Sequence, residues 1–418
     1  MFSIHRYPFF GKRFFKRIRK ILGGGLHFQY FWRLVMGIAS LSQRKSLSRL
    51  TKLFDHRRSR QAINHFLSKV DWDAPGILME NALTMLRKLG WKSGDTLYLV
   101  LDDTQKAKRA KKMDAVSKIY LHAEKIYAQG HTILGCAFVY RGVVVPCAVR
   151  LWASKDYCLR SQNTETPLEF KKLTQLAAEC IESVRLPSPG KMIVMFDRFY
   201  LCSEVVNACK NRNFDYIGAV KTNRNFYPDH RPTDKRKIGV YSNNYLERKG
   251  TWVNIKEAKK RHRIAECVGT LSKAGHTKLV FSRREGEKSW IILSSSNIRY
   301  SAKTILEHYR NRWPIEVLFK MSKQYLGLGD YQFLRYRAVE RYLHLVMISY
   351  HLLTHLAYER LDEKERARGK EKLRLMGIEK SQVLLRELIF KDVVNSYAEG
   401  KKYGNLGKKL ERLLVPAD

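Results

Sequence analysis

The chain has 418 residues, of which 79 are Lys or Arg and 39 are Asp or Glu, a net charge of +40. With 44% hydrophobic and 11% aromatic residues it can bury a large core, which excludes wholesale disorder. So large a positive excess repels itself unless a polyanion neutralises it. Nucleic acid is therefore the first candidate partner and an anionic membrane surface the second.

The seven cysteines (Cys136, Cys147, Cys158, Cys180, Cys202, Cys209, Cys267) are scattered and form no C-x-x-C pair. That pattern argues for a reducing compartment, without a disulfide framework or structural zinc. The basic N-terminus (Arg6, Lys12, Arg13, Lys16, Arg17, Arg19, Lys20) is followed by no apolar signal-peptide core. The most apolar stretch, Tyr342 to Tyr358, contains His344, His351 and His355 and reads as a buried core helix rather than a membrane span. The expected location is cytoplasmic, associated with the nucleoid.

Residues 1–60 hold fifteen Lys/Arg and one acid, Asp55. From Phe31 to Leu89 apolar residues recur at helical spacing with basic residues between them. This pattern predicts a helical, basic DNA-binding domain over 1–95; an ordinary helical domain with a solvated charged face is the alternative. Gly23-Gly24-Gly25 lacks a preceding strand and any G-K-[ST], so it reads as a hinge.

After the turn Lys92-Ser93-Gly94-Asp95 the pattern changes to strands. Leu97 to Leu101 is a buried-strand run stopping at Asp102-Asp103, followed by a basic loop with Lys106, Lys108, Arg109, Lys111 and Lys112. Ile133–Tyr140 and Val143–Leu151 predict a hairpin hinged at Arg141-Gly142. Leu168–Val184 has helical periodicity, Met192–Phe196 is a second apolar strand that stops at Asp197, and a helix (Leu201–Lys210) and a strand (Tyr216–Val220) follow. Residues 223–299 read as a β-rich insertion of short strands, after which helices return from Ala302. The tail from Lys364 to Asp418 is charged and reads as helical.

Two apolar strands thus each deliver an aspartate where α/β sheets build their sites. A carboxylate cluster in a positive field invites Mg²⁺ or Mn²⁺, and two such ions can activate a water or a 3′-hydroxyl at a phosphodiester. The third element is the stretch Tyr309 to Lys323. Relative to Glu316, the residues Tyr309, Arg312 and Lys323 lie at −7, −4 and +7, within about 60° on one helix face. Such a face presents a carboxylate between two cations and a phenol, although Pro314 must kink the helix or open it. A plain surface pair of Arg312 with Glu316 is the alternative.

Tyr309, Arg312, Glu316 and Lys323 match Y-x2-R-x3-E-x6-K, and the chain here resembles the large group of DDE transposases from bacterial insertion sequences that carries this signature. Asp197-Arg198-Phe199-Tyr200 resembles that group's second-aspartate motif, and Asp102-Asp103-Thr104 its first. The resemblance spans roughly Leu97 to Tyr350. It implies an α/β fold: an RNase H-like core with a mixed five-stranded sheet, in two parts (96–222 and 300–350), interrupted by the β-rich insertion (223–299). The helical basic domain (1–95) precedes the core and a helical C-terminal region (351–418) follows it.

It further implies that Asp102, Asp197 and Glu316 hold two Mg²⁺, with Mn²⁺ as substitute. Tyr309, Arg312 and Lys323 would contact the DNA backbone, and Lys106, Lys108 and Arg109 lie where they would join them. Adjacent acids leave the first ligand open between Asp102 and Asp103, which alternate across a strand; the family spacing to Thr104 selects Asp102. The implied partners are the terminal inverted repeats and the target DNA, both double-stranded, bound by a homodimer in a synaptic complex. A domesticated binding protein and a nuclease that cuts without joining are the competing readings, with a membrane-surface protein behind them. Trp313 could stack on an unpaired base or pack in the core.

Overall fold

The computed structural model describes residues 9–52, 60–110, 112–121, 124–162, 167–186, 190–367, 369 and 372–398. The expectations placed on Arg6, Asp55, Lys111 and the tail beyond 398 lie outside them. Five helices open the chain: α1 (Phe9–Leu22), α2 (Leu26–Ser40), α3 (Leu47–Lys52), α4 (Arg60–Ser68) and α5 (Ala74–Lys88). The last is started by Asp73, whose side chain accepts the Gly76 N–H at 2.8 Å, with Pro75 in its first turn.

Four strands follow, β1 (Thr96–Ala107), β2 (Ser117–Leu121), β3 (Ile126–Tyr140) and β4 (Val143–Leu151). The β3–β4 turn is the predicted hairpin: Arg141 (φ 51°) and Gly142 (φ 77°) are both left-handed, the pairing that matches strand twist. Helices α6 (Lys155–Ser161) and α7 (Leu173–Glu182) lead to β5 (Lys191–Phe196), α8 (Ser203–Asn211) and β6 (Asp215–Ala219).

Residues 223–299 form β7 (Asn225–Pro228), β8 (Arg236–Lys237), β9 (Thr251–Val253), β10 (His262–Leu271), β11 (Gly275–Arg284) and β12 (Trp290–Ser295). They also contain a helix, α9 (Ile238–Lys249), which was not expected there. Its spaced apolar residues Ile238, Tyr241 and Leu246 are buried. Then come α10 (Ala302–Tyr309), a 3₁₀ turn (Arg310–Arg312), α11 (Pro314–Tyr325), α12 (Tyr336–Glu359), α13 (Glu363–Ala367) and α14 (Ile378–Ala398).

The fold is mixed α/β around one large mixed sheet in the order β2-β3-β1-β5-β6-β12-β11-β10-β7-β8, with β4 on β3 and β9 on β10. Strand β3 runs antiparallel to β1 and β4, while β5 is parallel to β1 and β6 to β5. The central order β4-β3-β1-β5-β6 is consistent with the expected RNase H-like core. That core is not a five-stranded sheet standing alone. Antiparallel pairing of β12 with β6 (Leu293↔Ala219) carries the strands of 223–299 into the same sheet.

A second difference concerns β1, which does not stop at Asp102-Asp103. The long strand β3 pairs with it from Tyr98↔Val139 through Asp102↔Gly135 to Ala107↔Gly130, so Lys106 lies in a strand.

Alternation along β1 divides the core. Leu97, Leu99 and Leu101 pack with Met192, Val194, Phe196 and residues of α7 and α8. Val100, with Ile193 and Met195, faces α11 and α12 on the other side. Helices α2, α4 and α5 also pack on α12, and Ser349 donates to the Val35 carbonyl at 3.1 Å. Within α12 burial holds His344 and His351 neutral, each lowered to about 3. Among the described residues no helix is long and apolar enough to cross a membrane.

Candidate active site

The parallel pairing of β1 with β5 reaches Val100↔Met195. Asp102 and Asp197 each lie two residues further along, so adjacent parallel strands bring both to one level of the sheet. Asp197 is the first residue beyond β5, and its carboxylate accepts the Phe199 N–H at 2.7 Å, which turns the chain there.

The adjacent acids of β1 part company. Asp102 is on the α11 side, where Arg312 Nη1 donates to its Oδ2 at 3.0 Å. Asp103 is on the opposite side, where the buried Tyr200 hydroxyl donates to its Oδ1 at 2.7 Å. Burial and the Asp103 charge push that phenol well above its usual range. Burial likewise raises the Asp102 carboxyl to about 7; Arg312 opposes the rise, while the nearby charges of Asp103 and Asp197 add to it.

Glu316 arrives from the helical side. The signature is not one continuous helix: α10 ends at Tyr309, the 3₁₀ turn carries Arg312, and Pro314 opens α11, so Glu316 stands in its first turn. Ile315, Leu318 and Phe319 bury the inner face of α11 against the sheet. Phe319 docks over Gly135, the residue paired with Asp102, where no side chain intervenes. That contact brings the helix close to the strand.

From the turn, Arg312 also donates to Glu316, so one guanidinium links the acids of β1 and α11. Tyr309 lies beneath it, the Arg312 guanidinium carbon 5.9 Å from the ring centre and the phenol 3.4 Å from the Phe196 carbonyl. Burial raises the Tyr309 phenol to about 12.

The remaining cations divide. Lys323 is half-buried, and burial with the charge of neighbouring Lys106 lowers its pKa. Lys108 turns inward and donates to the carbonyls of Gly329 (2.7 Å) and Tyr331 (3.0 Å), with its ammonium 3.4 Å from the Tyr331 ring centre. Burial, with Lys106 beside it, lowers Lys108 to about 7. Arg109 is exposed.

The structure thus brings Asp102, Asp197, Tyr309, Arg312 and Glu316 together, places Lys106 beside Lys323, and commits Lys108 to the fold. Two supporting residues escaped sequence reasoning. Gly135 is a glycine inside an apolar strand, a signal of close approach. Tyr200 sits in the second-aspartate motif itself.

The donor chemistry suits a hard divalent cation, since all the candidate ligands are carboxylate oxygens. Among the described residues no group of three or more His, Cys, Asp or Glu side chains stands ready to hold a metal. The Arg312 guanidinium lies between Asp102 and Glu316 and donates to both carboxylates.

The family described as DDE superfamily endonuclease matches residues 31–271, more than half of the chain. The chain belongs to that family. The matched span of this DDE endonuclease contains Asp102 and Asp197 and ends before the helix of Glu316. No curated protein matches the chain. Among solved structures, the NurA nuclease from Sulfolobus solfataricus is 9% identical, covering 58% of this chain and 92% of its own at a TM-score of 0.25. Membership makes DNA the implied substrate of the DDE endonuclease.

Proposed function

We propose that the protein is a transposase that cleaves DNA at the ends of its element and joins them to target DNA by a cut-and-paste route. One observation carries this reading: three acids distant in sequence, Asp102, Asp197 and Glu316, come from two adjacent parallel strands and a helix to one place beside Tyr309 and Arg312. The order of the motifs and the central strand order support it. Asp102, Asp197 and Glu316 would hold two Mg²⁺ ions, or Mn²⁺ in their place, and the metal would supply charge stabilisation for the attacking and departing oxygens.

The chain's own residues do the positioning. Arg312 offers its guanidinium fork to a backbone phosphate, and the Tyr309 ring supports it from below. Lys323 and Lys106 add a second pair of positive charges along the DNA path, with Arg109 at the surface. Asp103 keeps Tyr200 in place behind the strand, and Gly135 sets the height of α11. The basic helices before β1 read the terminal repeats, and two copies of the chain each hold one end in the synaptic complex at the nucleoid. DNA affinity then falls steeply with salt as bound phosphates release counterions.

The test is an assay of cleavage and end-joining on DNA carrying the repeats that flank the gene, with Mg²⁺, Mn²⁺ or EDTA, beside Asp197→Asn. Metal-dependent 3′-hydroxyl ends and joined products, both absent from the variant, are expected. Cutting without joining would replace this reading with a nuclease. Binding without cutting under any metal would replace it with a domesticated DNA-binding protein.

A further inference from the structure

Arg312 holds an unusual position for a residue that faces DNA. Its Nη1 donates to Asp102 Oδ2 at 3.0 Å, and its Nη2 donates to Glu316. Both nitrogens of the fork are therefore spent on the two carboxylates that would share a metal ion. The third acid, Asp197, is instead occupied by the backbone of its own turn. The side chains of Arg312, Asp102 and Glu316 retain 17%, 19% and 34% of their exposure, so cations and phosphates can reach the group from solvent.

From this geometry we propose that Arg312 is an internal counter-ion that competes with the divalent metal for Asp102 and Glu316 until a DNA phosphate draws it away. The inference rests on the metal-dependent reading above. The physical argument is short. A partly buried carboxylate without a cation is costly, and a guanidinium bridging two of them offsets part of that cost.

A dication taking the same oxygens would meet the guanidinium charge at close range in a partly dehydrated site, where repulsion is strong. Arg312 must then leave, and it keeps a charge at every pH, so it needs another anion. A backbone phosphate matches its fork as well as a carboxylate does. Such a phosphate both holds the displaced Arg312 and frees the two acids, so metal and DNA bind more tightly together than apart. By linkage, each must raise the affinity of the other by the same factor.

The experiment measures Mn²⁺ binding from the loss of the free-ion electron paramagnetic resonance signal. It compares the full-length protein with Arg312→Ala, Arg312→Lys and Asp197→Asn, and circular dichroism establishes that each is folded. Without DNA, Arg312→Ala should bind Mn²⁺ on the order of tenfold more tightly than wild type. Arg312→Lys, which keeps the charge, should stay near wild type.

A blunt DNA duplex, with its own Mn²⁺ uptake subtracted, should tighten Mn²⁺ binding to wild type and leave Arg312→Ala nearly unchanged. Equal or weaker Mn²⁺ binding by folded Arg312→Ala, or equal tightening by DNA in both proteins, overturns the proposal alone, provided that Asp197→Asn weakens binding. If Mn²⁺ binding is absent, or indifferent to Asp197→Asn, both the proposal and the metal-dependent reading fall.

Discussion

A Cβ on Gly135 would stand 2.7 Å from the Phe319 ring, closer than real Cβ contacts come. Because Gly135 pairs with Asp102 and Phe319 follows Glu316 on α11, this contact fixes how near the glutamate comes to the aspartate. Gly135→Val should lift α11 from the sheet, at about 1–3 kcal/mol of stability for overpacking. Cleavage should fall much further than DNA binding. Urea unfolding and a filter-binding assay, run beside the cleavage assay, separate the two effects.

Asp197→Asn and Glu316→Gln should each slow cleavage by roughly a thousandfold, the rate equivalent of losing several kcal/mol of transition-state stabilisation. Binding to the element ends should remain within a few-fold of wild type, measured by fluorescence anisotropy in EDTA. Residual cleavage near the wild-type rate would remove these acids from the site.

The neighbours Asp102 and Asp103 should behave unlike each other. Asp102→Asn should abolish cleavage. Asp103→Asn, which still offers Tyr200 an acceptor, should retain it. Tyr200→Phe leaves the acceptor without its hydroxyl donor and should cost about 1–3 kcal/mol, read as a shift in the urea midpoint at unchanged slope. Reversed roles for the two aspartates would show that the strand presents its other face to the substrate.

Stability should decline as the solution is acidified. Burial lowers His131 to about 4 and His344 and His351 to about 3, all below the ordinary histidine value of 6.5. Below 6.5 the unfolded chain therefore takes up protons that the folded chain refuses until pH reaches 4 or 3. The share of stability that these three histidines supply is thus fully present above 6.5 and is lost as pH falls through this window. Each histidine adds a slope of up to about 1.4 kcal/mol per pH unit. Replacing His351 with Leu should remove one such increment between pH 6 and 4.5, whatever the variant does to stability at neutral pH. An unchanged slope would show that His351 does not titrate on unfolding.

Much of the sheet around Asp102 and Asp197 was legible because it rests on local patterns. The apolar runs before Asp102 and Asp197 announce β1 and β5, Arg141-Gly142 announces the hairpin, and of the two places open to Pro314, a kink or a first turn, α11 takes the second. What escaped depends on distant partners. The continuation of β1 past its aspartates requires the long β3 beside it. The inward turn of Lys108 depends on carbonyls more than two hundred residues away, Gly329 and Tyr331. Helix α9 was hidden because its buried residues are few and lie among charged and polar neighbours.

The pairing of β12 with β6 makes the 223–299 segment a neighbour of the strands that carry Asp102 and Asp197 rather than an appendage to them. Were it excised, the backbone N–H and C=O groups of β6 would line an open border one strand away from Asp197, inviting self-association. Shortening is therefore tolerable only from the far border, at β7 and β8, where loss of strands leaves the seam at β6 sealed. The segment is thus a wall shared with the sheet that carries Asp102 and Asp197, and its lengths in related chains should vary at that outer border and not at the seam.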